Sequence, residues 1–320
     1  MKTMNCAVTA LLCVLASACG KPGGVGGATS DAAPATLRAN ALLAKELKLD
    51  DPRDFEDAKR GFIARPSGKI LGADGSVLHD FDAYQFEQGQ APDTVNPSLW
   101  RHAQLNAQIG LFKVTDGIHQ LRGFDVANIT LIEGKTGWIV VDALTSRESA
   151  AAAMAFARQH LGHKPVSAIV FTHSHVDHFG GALGVISADE ARRRNVPIVA
   201  PVGFMEEATS ENLMMGGAMG RRSMYMYGSR LARDAKGLVD NGLGKAVAYG
   251  SFGILPPTLV VDKAMQDIVF TGFVRPQDIS TTNVVESSRI ADAQLGYLSP
   301  GPLGKPKQGI ISKILGGLWP

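Results

Sequence analysis

Val166-Ser167-Ala168-Ile169-Val170-Phe171-Thr172-His173-Ser174-His175-Val176-Asp177-His178-Phe179-Gly180-Gly181 is the stretch whose reading decides the fold. It opens with an apolar run, residues 166–171, of the kind that forms a buried strand. Three histidines and a carboxylate then fall within residues 173–178. Imidazole nitrogen and carboxylate oxygen are ligands preferred by Zn²⁺ and similar divalent ions. Two imidazoles spaced as His-x-His on an extended segment share a face. Asp177 and His178 follow where the chain must turn and aim at a second point nearby. Gly180 and Gly181 allow tight backbone geometry where the loop enters the next helix. A single histidine after a strand is ordinarily a hydrogen-bonded loop residue. Three of them with an aspartate make a metal site the stronger reading, with His173, His175, Asp177 and His178 as its ligands.

Upstream, residues 137–142 form an apolar strand ending in an acid, residues 146–161 an Ala-rich helix, and Pro165 starts the strand that delivers the histidines. Strand, helix and strand make an α/β unit, with the loop at the carboxyl end of the second strand, where open α/β sheets place ligands. Asp142 ends the first of these strands. It either lies beside the metal loop or, as is commoner for such an acid, accepts backbone hydrogen bonds. Residues 111–114, 118–122 and 128–133 read as short strands of an antiparallel meander at the sheet edge. Before them come an amphipathic helix over 36–49, a short helix over 51–60, and a hairpin over 61–82 turning at Asp74-Gly75. A further helix lies over 96–109, with Ser98 as its N-cap.

After the loop, residues 182–194 read as one helix and 196–201 as a buried strand. Residues 205–226 hold Met205, Met214, Met215, Met219, Met224 and Met226. Methionine suits a surface that accommodates varied apolar chains, but composition favours ordinary helix core. Arg221-Arg222 is read as solvated rather than as a fork for a sulfate or phosphate.

The 320-residue chain is 45% hydrophobic, enough for a sizeable core, in one large domain or two modest ones. Its net charge of +2 gives no sign of a nucleic-acid partner. Lys2 and the apolar residues 7–18 read as an export signal too short to span a bilayer. Ala16-Ser17-Ala18 is a cleavage signature, and Cys19 follows it directly. Residues 1–18 are thus a signal peptide and 19–35 a flexible Gly/Ala/Pro linker. Cys6 and Cys13 fall in the signal, so the mature chain keeps only Cys19 and forms no internal disulfide.

Several stretches carry a resemblance. The His-x-His-x-Asp-His pattern after a buried strand resembles the metal loop of the metallo-β-lactamase superfamily. In that superfamily the first two histidines usually serve one metal and the Asp-His pair the other. Asp54-Phe55-Glu56-Asp57-Ala58-Lys59-Arg60-Gly61-Phe62-Ile63, Val95-Asn96-Pro97-Ser98-Leu99-Trp100-Arg101, Gly110-Leu111-Phe112-Lys113-Val114, Thr130-Leu131-Ile132-Glu133-Gly134 and Arg221-Arg222-Ser223-Met224-Tyr225-Met226-Tyr227-Gly228 resemble the alkyl sulfatases that hydrolyse dodecyl sulfate-type detergents. The similarity runs over residues 41–272.

The resemblance implies an αββα sandwich of the metallo-β-lactamase type over residues 36–272, incomplete at its C-terminal side. It implies a zinc hydrolase, with two Zn²⁺ per complete family site, releasing sulfate from long-chain primary alkyl sulfates by attack of metal-activated water. His173 and His175 would hold one zinc, Asp177 and His178 the other, and Asp177 would also orient the water. The signal resembles that of a bacterial lipoprotein, with Cys19 as the lipid anchor. The expected location is the periplasm or the outer membrane. Family chains dimerise, through a region not recognised here.

The sequence also departs from the family. All eight histidines lie at or before His178, whereas the family takes further ligands from downstream. Asp278, Glu286 and Asp292 match no family motif. Residues 273–320 read as a divergent tail, with disorder as one reading of it, ending in an apolar run over 310–319 too short to span a membrane. The expectation is a truncated or frame-shifted product, with a natural short form as the alternative. Two other functions stay open: a catalytically inactive remnant, and hydrolysis of a lactone, thioester or β-lactam.

Overall fold

A computed structural model describes residues 30–262. The signal peptide, Cys19, most of the linker, and the tail with Asp278, Glu286, Asp292 and the run 310–319 lie outside the described residues.

The N-terminal part is a set of short elements that wrap the main sheet. Helix α1 (Pro34–Glu46) carries no buried residue, and α2 (Arg53–Lys59) none either. Strand β1 (Phe62–Ala64), absent from the sequence reading, leads to the hairpin of β2 (Lys69–Leu71) and β3 (Val77–Asp80). The hairpin turns at Gly75, whose φ of 81° suits a residue without Cβ. In α3 (Pro97–Asn106) the cap is Asn96, not Ser98: its side chain accepts from Ser98 N and Leu99 N. Pro97, whose missing N–H costs nothing at the first helical position, moves the cap one place upstream of it.

The period-2 patterning past residue 109 gives β4 (Gly110–Thr115), β5 (Ile118–Arg122), β6 (Ile129–Glu133) and β7 (Trp138–Val141). Then come α4 (Arg147–Leu161), β8 (Val166–Val170) and the short helix α5 (Val176–Phe179). The single helix expected over 182–194 is two, α6 (Ala182–Val185) and α7 (Ala188–Arg193). Ile186 is extended at the break, and the Ser187 hydroxyl caps α7 by accepting from Glu190 N. Strand β9 (Ile198–Pro201), α8 (Phe204–Thr209), a π-helical turn (Ser210–Met214), α9 (Gly216–Tyr227) and β10 (Leu259–Val261) complete the described residues.

Eight strands form one sheet in the order β1-β4-β5-β6-β7-β8-β9-β10. From β1 to β7 neighbours are antiparallel, the expected meander; from β7 to β10 they are parallel. The change of sense falls at β7, where α4 crosses over to β8.

Alternation along the strands divides the core. Ile129, Leu131, Val140 and Ile169 pack with Ala150, Ala153 and Met154 of α4, all at 0–2% exposure. Each such aliphatic burial is worth roughly 1.5–3 kcal/mol. Ile139, Ala168, Val170, Val199 and Val261 form a second cluster from the alternate strand positions. The described residues thus supply a mixed sheet and one helix layer of the αββα architecture.

The methionine-rich segment departs from expectation. α9 has no buried residue, and Met214, Met215, Met219 and Met226 are exposed, as are Leu213 and Tyr225. The core reading holds for Met205, which packs against the main core, and is corrected for the π-turn and α9, which pack chiefly against each other.

The segment 238–248 is fixed back onto α3 by a buried charge cluster. Lys245 Nζ pairs with Glu87, donates to Ala103 O at 2.5 Å, and lies 3.4 Å from Asp240 Oδ2. Tyr84 OH donates to Lys245 O at 3.0 Å. Burial pushes the Glu87 carboxyl up to about 7 even against the Lys245 cation. Removing one member of such a group strands the others without compensation, at about 3–5 kcal/mol. Lys245→Met is therefore expected to cost about that much in urea unfolding, and adding Glu87→Gln to recover part of the loss. A single-mutant loss below ~1 kcal/mol would contradict the cluster's role.

Candidate metal centre

The four sequence-predicted ligands come together at the carboxyl end of β8. The geometry differs from the reading in one respect: His173 and His175 lie in a loop, not on an extended strand, and His175 is the N-cap of α5. The rings still converge, with His173–His175 centroids 4.6 Å apart and His173–His178 4.1 Å. His178 Nε2 lies 3.3 Å from Asp177 Oδ2. His175 is the most exposed of the three, with Nε2 3.9 Å from Glu211 Oε1 on the π-turn.

Loop packing forces this shape. A Cβ on Gly180 would sit 2.2 Å from Thr145 O, and one on Gly181 2.1 Å from Ala143 O. Neither position tolerates a side chain, because the metal loop lies directly on residues 142–146. Ala143 N donates to His178 O at 2.8 Å, and Gly181 N to Leu144 O at 2.9 Å. Asp142 and Leu144 hold φ of 59° and 61°, a conformation non-glycine residues rarely adopt. Such strain persists only where surrounding structure over-determines it.

Asp142 plays both of the roles considered for it. Its Oδ1 accepts from Thr172 N at 2.9 Å, the ordinary loop function. Its Oδ2 meets His178 Nδ1 at 2.7 Å, which makes it a partner of the metal loop. Thr172 Oγ1 lies 2.9–3.0 Å from both Asp142 oxygens and 2.9 Å from His173 Nδ1. The carboxylate can only accept, so the Thr172 hydroxyl donates to it. His173 Nδ1–H must then donate to Thr172 Oγ1, leaving the His173 Nε2 lone pair free. One carboxylate thereby sets the tautomer of His173 and the orientation of His178. Thr172 was not among the predicted site residues, although it adjoins the first histidine.

The electrostatics follow this wiring. Burial, with the neighbouring His178 charge, lowers the His173 pKa to about 4, so the ring is neutral at pH 7. Burial works against the His178 cation, but the Asp142 charge and hydrogen bonds from Asp142 and Asp177 outweigh it and raise the pKa to about 10. Burial likewise opposes the Asp177 carboxylate, yet the His178 hydrogen bond and charge hold it down at about 2.

The donor chemistry fits a zinc-class ion: three imidazoles and one carboxylate, with two Nδ1 atoms tied back so that Nε2 faces the cluster. The count does not reach two ions, because a catalytic zinc ordinarily takes three protein ligands. Among the described residues no group of three or more such side chains is already arranged around a common metal position. In the metal-free chain, the Asp142–His178 pair raises the His178 pKa above its unfolded value of about 6.5. It therefore contributes stability that is full below pH 6.5 and fades as pH rises toward 10. Urea unfolding with a chelator present is expected to show Asp142→Asn less stable than wild type, with the gap narrowing over that window. A gap independent of pH would refute this pairing.

Comparison with known proteins bears on the domain in which this site lies. The family model described as the metallo-beta-lactamase superfamily matches residues 122–272. The chain is 44% identical over 241 residues to the alkyl/aryl-sulfatase BDS1 of Saccharomyces cerevisiae, covering 75% of this chain and 37% of that protein. It is 46% identical over 244 residues to a linear primary-alkylsulfatase of Pseudomonas sp, covering 75% and 36%. Among solved structures, the inverting sec-alkylsulfatase Pisa1 of Pseudomonas sp. superposes with a TM-score of 0.73 at 44% identity, covering 76% of this chain and 39% of that one. The chain thus spans between 36% and 39% of the length of these relatives.

A second family model, the flagellar L-ring protein, matches residues 258–320. The sequence reading treated residues 273–320 as a tail that diverges from the alkyl sulfatases, and this match gives the tail a resemblance of its own. The tail carries no histidine or metal-ligand pattern, so a reading built on site chemistry had nothing there to recognise. The described domain itself is similar to the metallo-β-lactamase superfamily and, within it, to the alkyl sulfatases.

Proposed function

We propose that the domain is the metal-loop part of a zinc-dependent sulfuric ester hydrolase acting on long-chain primary alkyl sulfates of the dodecyl sulfate type. The observation that carries this is the convergence of His173, His175, Asp177 and His178 at the end of β8, with Asp142 and Thr172 presetting two of the imidazoles. The identity of 44–46% to alkyl sulfatases, continuous across elements outside the loop, selects the ester over a lactone, thioester or β-lactam. Zinc held among these side chains would lower the pKa of bound water toward neutrality and withdraw charge from a sulfate oxygen.

The chain's own groups have separate tasks. Asp142 holds His178 through Nδ1 and, through Thr172, holds His173 with its Nε2 lone pair outward. Asp177, with His178 Nε2 3.3 Å away, would serve as a ligand and orient the water. Overall one water is consumed and the alcohol and inorganic sulfate are formed, with one proton released.

A second reading is favoured by the donor count: a domain that binds a single ion and does not turn over. Zinc content per chain, together with sulfate release from dodecyl sulfate below its micelle concentration, separates the two. The hydrolase reading expects bound zinc, and release that is lost with a chelator and at least about 100-fold reduced in Asp177→Ala. Zinc without release supports the single-ion binder, and neither zinc nor release overturns both. We also place the mature chain outside the cytoplasm on the strength of the signal over residues 1–18, with Cys19 as the new N-terminus. The mass of the N-terminal peptide from the exported protein tests cleavage and shows whether that cysteine carries lipid.

A further inference from the structure

Asp125 lies in the link between β5 and β6, remote in sequence from the histidines and sharing no hydrogen bond with them. It is 2% exposed, and its carboxylate is a junction of three segments. Oδ1 accepts from Val126 N at 2.7 Å and from Ala248 N at 2.9 Å. Oδ2 accepts from Thr145 N at 2.7 Å, with Ser149 Oγ further off at 3.4 Å. Thr145 closes the strained loop that begins at Asp142, and this loop is the surface on which the metal loop rests. Ala248 belongs to the strap that returns past α4, where Ser251 binds Glu148 and Gly253 N donates to Gly180 O at 2.9 Å.

We propose that Asp125 is a positioning residue for the metal-ligating loop. It acts from behind, through residues 142–146 on one side and the strap at residues 248–253 on the other. The loop needs such an anchor because Asp142 and Leu144 are both held at positive φ. Without an external restraint, non-glycine residues relax to the ordinary regions. The Asp142 carboxylate and the carbonyls of Ala143 and Leu144 would move with them. His178, Gly180 and Gly181 are registered on exactly those atoms' neighbours, so the ligand geometry depends on the anchor.

The chemistry of one substitution isolates this role. Asn in place of Asp125 keeps the size and one acceptor oxygen, enough for Val126 N and Ala248 N. The amide nitrogen then faces Thr145 N–H, donor against donor. Asp125→Asn therefore releases the loop while retaining the other arm. The inference rests on the zinc reading above only for its second readout. The first is amide hydrogen exchange in metal-free protein, compared with Leu131→Ala, a core variant that shares no hydrogen bond with the loop.

The expected result is faster exchange at Ala143 and Gly181 in Asp125→Asn, beyond any change in Leu131→Ala. Unchanged exchange there, or equal acceleration in both variants, overturns the proposal whether or not zinc binds. The second readout is zinc affinity by calorimetry at a temperature where all three proteins are folded. Supporting partners of metal ligands typically contribute 10–100-fold, so Asp125→Asn is expected to bind at least about tenfold more weakly than wild type and Leu131→Ala within about twofold of it. Equal affinity in Asp125→Asn and wild type overturns the proposal. If wild type binds no zinc, the zinc reading falls and the exchange result alone decides.

Discussion

A single carboxylate, Asp142, organises the candidate centre. It ends β7, accepts from the Thr172 amide at the end of β8, and pairs with His178 at 2.7 Å. Because β7 and β8 are adjacent and parallel, their carboxyl ends open on the same edge of the sheet. The acid of one strand is thereby brought to the histidines of the next. Removing either the parallel pairing or the acid would leave three imidazoles on a loop with nothing to set their tautomers. The crossover through α4 is what makes the pairing parallel, and its Ser146 cap lies at the end of the same strained loop.

Strain and burial work together around this centre. Two non-glycine residues at positive φ, two glycines that admit no Cβ, and two buried carboxylates lie in or behind the segments on which the ligands rest. Each is individually unfavourable, by about 1–3 kcal/mol for the backbone strain. They are tolerated because the aliphatic core beneath them is large and continuous. Local departures of this kind concentrate where a fold serves a site rather than its own stability. The Lys245–Glu87–Asp240 cluster does similar service at longer range, holding down the segment that leads into the strap.

The exposed methionines show where sequence composition misleads. Met219 and Met226 lie two helical turns apart on one face, as core residues do, and periodicity cannot say whether a partner surface is present. In the described residues α9 packs chiefly against the π-turn, and both methionines are exposed. The same limit explains the single helix expected over 182–194. Its apolar pattern is continuous through Ile186, but the chain turns extended there, α6 packs on α4, and Ser187 caps a second helix. Strand β1 was missed because three residues paired across a bulge carry too little pattern to be seen.

The sequence by itself determined the succession of strands from β4 to β9 with the crossover helix α4, the placement of the histidines after a buried strand, and the resemblance to the alkyl sulfatases. Those features rest on local periodicity and on residues close together in the chain, which a sequence displays directly. Only the tertiary structure decided that Asp142 serves both Thr172 and His178, that His173 presents Nε2, and that Asp125 lies behind the loop. It also decided that α9 stands uncovered. All but the exposure of α9 depend on hydrogen bonds between residues 20 to 123 positions apart. A partner at that distance is fixed by how the strands are stacked, and no spacing within the chain announces it.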